Sequence, residues 1–162
     1  MSNMNETPSS SSFKIAIKTG DNKVFEIDEA IAMQMTTVKN LSEVIDSSAS
    51  IILPNVKSAA LANLINYFNK KVEFNNQEKV MKAYGDELLK KLTPVEVMDT
   101  ILAANFLSFE EALDFFSQAV ADHIMFKSPS YVRRYFAVPN DSEELKDLRK
   151  KNDWAFNSVE ED

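Results

Sequence analysis

The apolar residues of this chain begin with a period of two and end with a period of 3.6, and that order closes off most architectures. Phe13, Ile15 and Ile17 alternate with Lys14, Ala16 and Lys18, the pattern of a strand with one buried face. Thr19-Gly20-Asp21-Asn22 supplies turn chemistry, with Gly20 or Asn22 able to take a positive φ, and Val24, Phe25 and Ile27 continue as the returning strand. The opening therefore predicts a β-hairpin. Beyond about Met81 every apolar pattern has helical spacing. A small β-containing front followed by an all-helical back half is an α+β chain, and no internal repeat interrupts it.

Between these limits the elements alternate. Ile31, Met33, Met35, Val38, Leu41, Val44 and Ile45 space like one or two short helices. Ile51-Ile52-Leu53 is a brief apolar run stopped by Pro54, which predicts a short strand. Ser58 is placed to cap a helix carrying Leu61, Leu64, Ile65 and Phe68. Polar residues from Asn69 to about Lys79 predict a loop around Phe74-Asn75-Asn76-Gln77. In the back half, Thr93-Pro94 and Ser128-Pro129 each give a cap followed by proline at the first helical position. The first launches Val97, Met98, Ile101, Leu102 and Asn105. Asp141 and Glu144 resemble a capping box for a last helix that ends in Arg149-Lys150-Lys151, with Trp154 and Phe156 at or just past its final turn.

Composition removes most chemistries. Only Gly20 and Gly85 are glycine, which excludes the glycine-rich phosphate cradles. There is no cysteine, and His123 is the one histidine, so neither a thiol nucleophile nor a histidine metal cluster can form. A net charge of −7 argues against a phosphate-wrapping nucleic-acid binder. No apolar run reaches the ~18 residues of a membrane span. The start lacks the basic and apolar regions of a signal peptide, so the nucleus and cytoplasm are the expected compartments. Residues 1–12 hold five serines and little apolar surface, which predicts a disordered tail.

The remaining polar candidates read more simply as solvated helix faces. Asp122 neighbours His123, but adjacent helical residues point about 100° apart, so it cannot orient the ring. Glu110, Glu111 and Asp114 have the spacing of an exposed face, and Arg133-Arg134 sit where a helix C-terminus favours cations. What stands out is apolar surplus. Phe106, Phe109, Phe115 and Phe116 fall within eleven residues, and Tyr131, Tyr135, Phe136, Trp154 and Phe156 follow. A few short helices cannot turn all of these inward, which predicts a protein-binding surface.

Several segments, in chain order, carry a resemblance. Asp21–Ile27 followed by Ala30-Ile31-Ala32 is similar to DGExFEVxxxIA, and Leu53-Pro54-Asn55-Val56 to LPNV. Ile101–Leu107 resembles ILAANYL, Gln118–Ile124 resembles QTVADMI, and Ser128-Pro129 with Val132-Arg133 fits TPEEIR. Val138–Asp141 is similar to NIKND and Asn152–Phe156 to ENQWAFE. Together they resemble the S-phase kinase-associated protein (Skp) adaptors over nearly the whole chain from Phe13 to Phe156.

The resemblance implies a BTB/POZ fold, a small β-sheet with helices, over residues 13–125, extended by C-terminal helices over 126–162. It implies no catalytic activity, no cofactor, no metal and no small-molecule substrate. It implies instead a cullin scaffold bound through Asn105 and Phe106, the latter standing where the family has tyrosine. F-box proteins would be bound through Ser117, Val120, Ile124, Val138 and Trp154, joining a substrate receptor to an SCF-type ubiquitin ligase. The chain also departs from the family pattern. Tyr84-Gly85 replaces a tryptophan-aspartate pair, Ala112–Gln118 replaces LLDLTCQ, and Met125-Phe126 replaces a glycine-containing turn. Bulky Phe115, Phe116 and Phe126 predict an altered receptor preference. The rival readings are a self-associating BTB module, an elongin-C-like adaptor without F-box binding, and a small acid/base enzyme using His123. The segment from Ser128 to Phe156 argues against the elongin-C form.

Overall fold

The computed structural model describes residues 13–46, 48–138, 147–148, 150–152 and 154. Its elements run β1 (Lys14–Thr19), β2 (Val24–Asp28), α1 (Glu29–Ala32), α2 (Thr36–Val44), β3 (Ile51–Leu53), α3 (Ser58–Glu73), α4 (Glu78–Lys91), α5 (Pro94–Phe106), α6 (Glu110–Ile124) and α7 (Pro129–Tyr135). The fold is α+β, as the change of period requires. The proposed tail over 1–12 and the capping box at Asp141 and Glu144 lie outside the described residues.

The hairpin pairs β1 with β2 antiparallel, Ile15 facing Ile27 and Ile17 facing Phe25. Asn22 takes the positive φ of the turn, at 62°, where its amide donates to the Thr19 carbonyl at 2.9 Å. Gly20 serves a different need. A Cβ there would lie 2.2 Å from the Pro54 carbonyl oxygen, while its own N–H donates to the Val56 carbonyl. β3 adds in parallel on the other side of β1, giving the order β2-β1-β3. It is an edge strand, which is why Pro54 can end it without breaking a ladder. Phe13 is exposed and precedes β1, so the inward set begins at Ile15.

The start of α3 differs from expectation. Ser58 is the first helical residue, not the cap, and its hydroxyl donates to Asp21 in the hairpin turn. Asp21 also accepts from the Ser58 N–H at 2.9 Å and from the Thr19 hydroxyl at 2.7 Å. The carboxylate thus caps a helix that lies 37 residues on, satisfying an orphan N–H where the helix dipole favours negative charge. The hydroxyls of Ser58 and then Thr19 hold its carboxyl far below the usual carboxylate range. A carboxyl depressed in the fold stabilises it above the unfolded value of about 4, and that contribution is lost as pH falls. Asp21→Asn should therefore lower the melting temperature at neutral pH, with the gap to wild type closing below about pH 4. A gap that stays constant down to pH 2 would remove Asp21 from this role.

The loop expected over 69–79 is shorter. α3 continues through Lys70 and Lys71 to Glu73, and α4 begins at Glu78. The polar residues form helix ends, with basic side chains in the last turn of α3. Only Phe74–Gln77 connect them, with Asn75 and Asn76 at positive φ.

One core joins front and back. Ile15, Ile17, Ile27, Ile51 and Leu53 of the sheet belong to the same buried cluster as Leu61 and Leu64 of α3, Ala103, Ala104 and Leu107 around the end of α5, and Phe109, Ala112 and Phe116. Tyr67 packs against Phe109, Phe115 and Phe116, with ring centroids 4.7–6.0 Å away. Burial, with Glu111 and Asp114 nearby, pushes its hydroxyl up to about 12. Part of the aromatic surplus read from the sequence is thereby absorbed. Phe109 and Phe116 are fully buried, and Phe115 lies between Tyr67 and Tyr84. Phe116 is thus not a surface determinant, whereas Phe115 packs against the core and stays half-buried.

Candidate functional site

Of the large apolar residues left exposed, Phe13, Val24, Met33, Val44, Ile52 and Val72 are scattered over the front half and α3, while those of the back half fall into two groups, before and after α6 in the chain. The first is carried by α5. Thr93 caps the helix in a full capping box: its hydroxyl accepts from the Glu96 N–H at 3.3 Å, and the Glu96 carboxylate accepts from the Thr93 N–H at 2.8 Å. The Thr93 N–H and then the Thr93 hydroxyl, both donating to it, hold the Glu96 carboxyl below its ordinary value. Pro94 follows at the first position, so the entry of α5 is firmly set. Val97, Thr100, Ala103 and Ala104 face inward.

Val95, Leu102 and Phe106 stand seven and four residues apart, one face of a helix, and all three are exposed. Leu102 therefore lies on the outer stripe rather than among the core residues with which the periodicity groups it. Asn105, beside this stripe, is exposed as well. Phe106 is 39% exposed, but its backbone is fixed. Its carbonyl accepts from the Thr37 hydroxyl at 2.9 Å, and the Leu107 carbonyl accepts from the Thr37 N–H at 3.2 Å. Helix α2 thus holds the end of α5 in place and leaves the ring half in water. Val95 and Leu102 extend the surface that sequence reasoning confined to Asn105 and Phe106.

The second group lies beyond the C-terminal end of α6. Met125 and Phe126 follow the helix directly, and Phe126 is 69% exposed. Val138, Leu148 and Trp154 are exposed too, Trp154 at 77%. Of the residues predicted here, Ser117 is exposed, Ile124 is half-buried and Val120 is only 6% exposed. Val120 shares the inward face of α6 with Ala112 and Phe116, two turns and one turn earlier, so in the free chain it is core. Met125 and Leu148 are exposed as well, although the sequence pattern places them only in helical apolar spacing and not among the candidate contacts.

A groove of about 1220 Å³ runs between α4 and α6, lined by Lys82, Asp86, Asp114, Phe115, Ser117 and Asp122 among others. Ser117 is the one predicted site residue it touches. The acid/base candidate His123 is occupied otherwise, with Nε2 2.8 Å from the Tyr131 hydroxyl. Asp122 turns away from it, accepting from the Gln118 amide at 2.8 Å and lying 3.8 Å from the Lys82 ammonium. Among the described residues no three histidine, cysteine or acidic side chains are grouped to hold a metal ion, and no helix is long and apolar enough to cross a membrane.

Comparison with known proteins is consistent along the chain. Residues 13–73 match the Skp1 family tetramerisation (POZ) domain, and residues 112–155 match the Skp1 family dimerisation domain. SKP1-like protein 18 of Arabidopsis thaliana is 36% identical over 156 residues, covering 91% of this chain and 99% of that protein. SKP1-like protein 4 of the same plant is 35% identical, covering 88% and 95%. SKP1-like protein 1 of Oryza sativa subsp. japonica is 33% identical over 163 residues, covering 88% and 94%.

Proposed function

The chain belongs to the Skp1 family, and on that premise we propose that it joins a cullin to F-box substrate receptors as the adaptor of an SCF-type ubiquitin ligase, by its surfaces and without chemistry of its own. The observation that carries this reading is the separation of two exposed apolar surfaces by one well-packed helix. Phe106 lies just before α6 and Phe126 just after it. Fifteen helical residues at 1.5 Å each set the two ends roughly 22 Å apart. Two partners can therefore be held at once without competing for the same side chains. A self-associating module needs one such face, and a small enzyme needs a cleft with converging polar groups.

The stripe on α5 is the proposed cullin surface. Phe106 offers a rigid ring on a fixed backbone, the kind of anchor that becomes a hot spot once desolvated. The surface beyond α6 is the proposed F-box side, with Trp154, Val138 and Phe126 free to be covered and Ile124 partly so.

The test is selective loss. Asn105→Ala with Phe106→Ala should weaken binding of a cullin N-terminal fragment by about thirtyfold, the 2 kcal/mol of a modest hot spot. Binding of an F-box segment should change less than twofold. Both affinities can be measured by calorimetry on the same preparation. Equal loss of both partners from a folded double variant would overturn the assignment of two separate surfaces.

A further inference from the structure

Helix α7 poses a packing problem that its hydrogen bonds answer. None of its residues is fully buried, although Tyr131, Val132 and Tyr135 are half-buried, so polar and ring contacts carry a large part of how it lies against α6. Its start is held locally, since the Ser128 hydroxyl accepts from the Tyr131 N–H at 3.1 Å and Pro129 sets the first turn. A ring cluster joins α7 to α6. The Tyr131 hydroxyl meets His123 Nε2 at 2.8 Å, and the Tyr135 ring lies 5.5 Å from the imidazole. The two tyrosine rings stack at 6.4 Å on successive turns of α7. Lys127 and Arg134 lie over the Tyr131 ring at 5.3 and 5.8 Å.

Histidine and tyrosine form a pair that either imidazole tautomer can satisfy, because a phenol both donates and accepts. Its planar, two-ring geometry also fixes direction, which an aliphatic contact at the same place would not. The segments that resemble the Skp pattern have methionine at the position of His123 and glutamate at that of Tyr131. The two departures meet in space, although eight residues separate them in the chain.

We propose that His123 and Tyr131 are positioning residues, a latch that docks α7 on the end of α6 and presents Met125, Phe126 and Val138 in a receptor-ready arrangement. This rests on the F-box reading of that surface. It deepens that reading by naming what orders the surface before a partner arrives. A preordered helix loses less conformational freedom on binding, so the latch acts on affinity without touching the partner.

The test uses the full chain and three variants. Tyr131→Phe removes one oxygen, His123→Ala removes the ring, and His123→Gln restores a polar group near the place of Nε2. Amide exchange over residues 129–135 of the free chain should quicken in the first two variants and return towards wild type in His123→Gln. Affinity for a synthetic F-box segment should fall three- to tenfold in Tyr131→Phe, the range of one lost hydrogen bond. The Tyr131→Phe, His123→Ala double variant should bind no more weakly than His123→Ala alone, because the two groups act as one unit. The melting temperature, set by the core, should not move. Wild-type exchange and affinity in Tyr131→Phe would overturn the latch, and so would additive losses in the double variant or no rescue by glutamine. If the wild-type chain does not bind the F-box segment at all, the F-box reading fails, while the exchange measurements still decide whether the latch exists.

Discussion

Phe116→Ala is expected to destabilise the whole chain by about 3–5 kcal/mol, the cost of truncating a fully buried phenylalanine. Phe116 is 0% exposed, and its ring meets Phe115 edge-on at 5.3 Å and Tyr67 at 6.0 Å. Truncation leaves a cavity bounded by rings, and rings collapse poorly because each is already held by its neighbours. Phe116 belongs to the same buried cluster as the sheet residues Ile17 and Leu53. Front and back should therefore unfold in one transition, with a melting temperature lower by roughly 10 °C or more. Urea denaturation followed by circular dichroism checks both statements. A loss below about 1 kcal/mol would place Phe116 outside the core. Two separate transitions would show that the sheet and the back helices do not share one.

That shared core explains where the sequence was readable and where it was not. The hairpin, both cap-then-proline helix starts and the short strand are local events, decided by a few adjacent residues, and each is found where the periodicity puts it. The Asp21–Ser58 cap is not local. Ser58 stands at the start of a helix and has the right chemistry for a cap. Only the arrival of the hairpin turn from 37 residues away turns its hydroxyl into a donor instead. The loop between α3 and α4 is shorter than the run of polar residues implies, because lysines close the end of α3 within the helix.

The candidate surface shows the same division. The sequence revealed that aromatic residues are in surplus, but not which of them are spare. Gly85 resolves part of this. A Cβ there would lie 3.2 Å from the Phe115 ring and 3.5 Å from the Ala119 methyl, so the missing side chain on α4 makes room for the large one on α6. Gly85 and Phe115 both depart from the Skp pattern. Read singly they suggest a changed surface; together they are one accommodated contact between α4 and α6. Phe126, which has no such partner, remains outside. Sorting core from interface thus depends on pairs far apart in the chain, and a single sequence does not list pairs.

Trp154→Ala is expected to weaken binding of an F-box segment by about a hundredfold, which corresponds to about 2.7 kcal/mol. Tryptophan leads the residues that carry interface energy, because its large ring loses little rotational freedom when covered. Trp154 is 77% exposed, and the described residues just before it, at 150–152, are exposed as well. Truncating it removes no interior contact, so the melting temperature of the free variant should match wild type. Val120→Ala gives the opposite pattern. Its side chain is already inside α6's packed face, so stability should fall along with affinity. The wild-type chain offers a direct reporter too, since Trp154 is its one tryptophan. Its fluorescence should be that of a water-exposed indole in the free chain and shift to shorter wavelength as the F-box segment is added. A titration that saturates with no shift would mean that the segment binds elsewhere. An unchanged affinity in Trp154→Ala would remove this residue from the interface, and a lowered melting temperature would make it part of the fold.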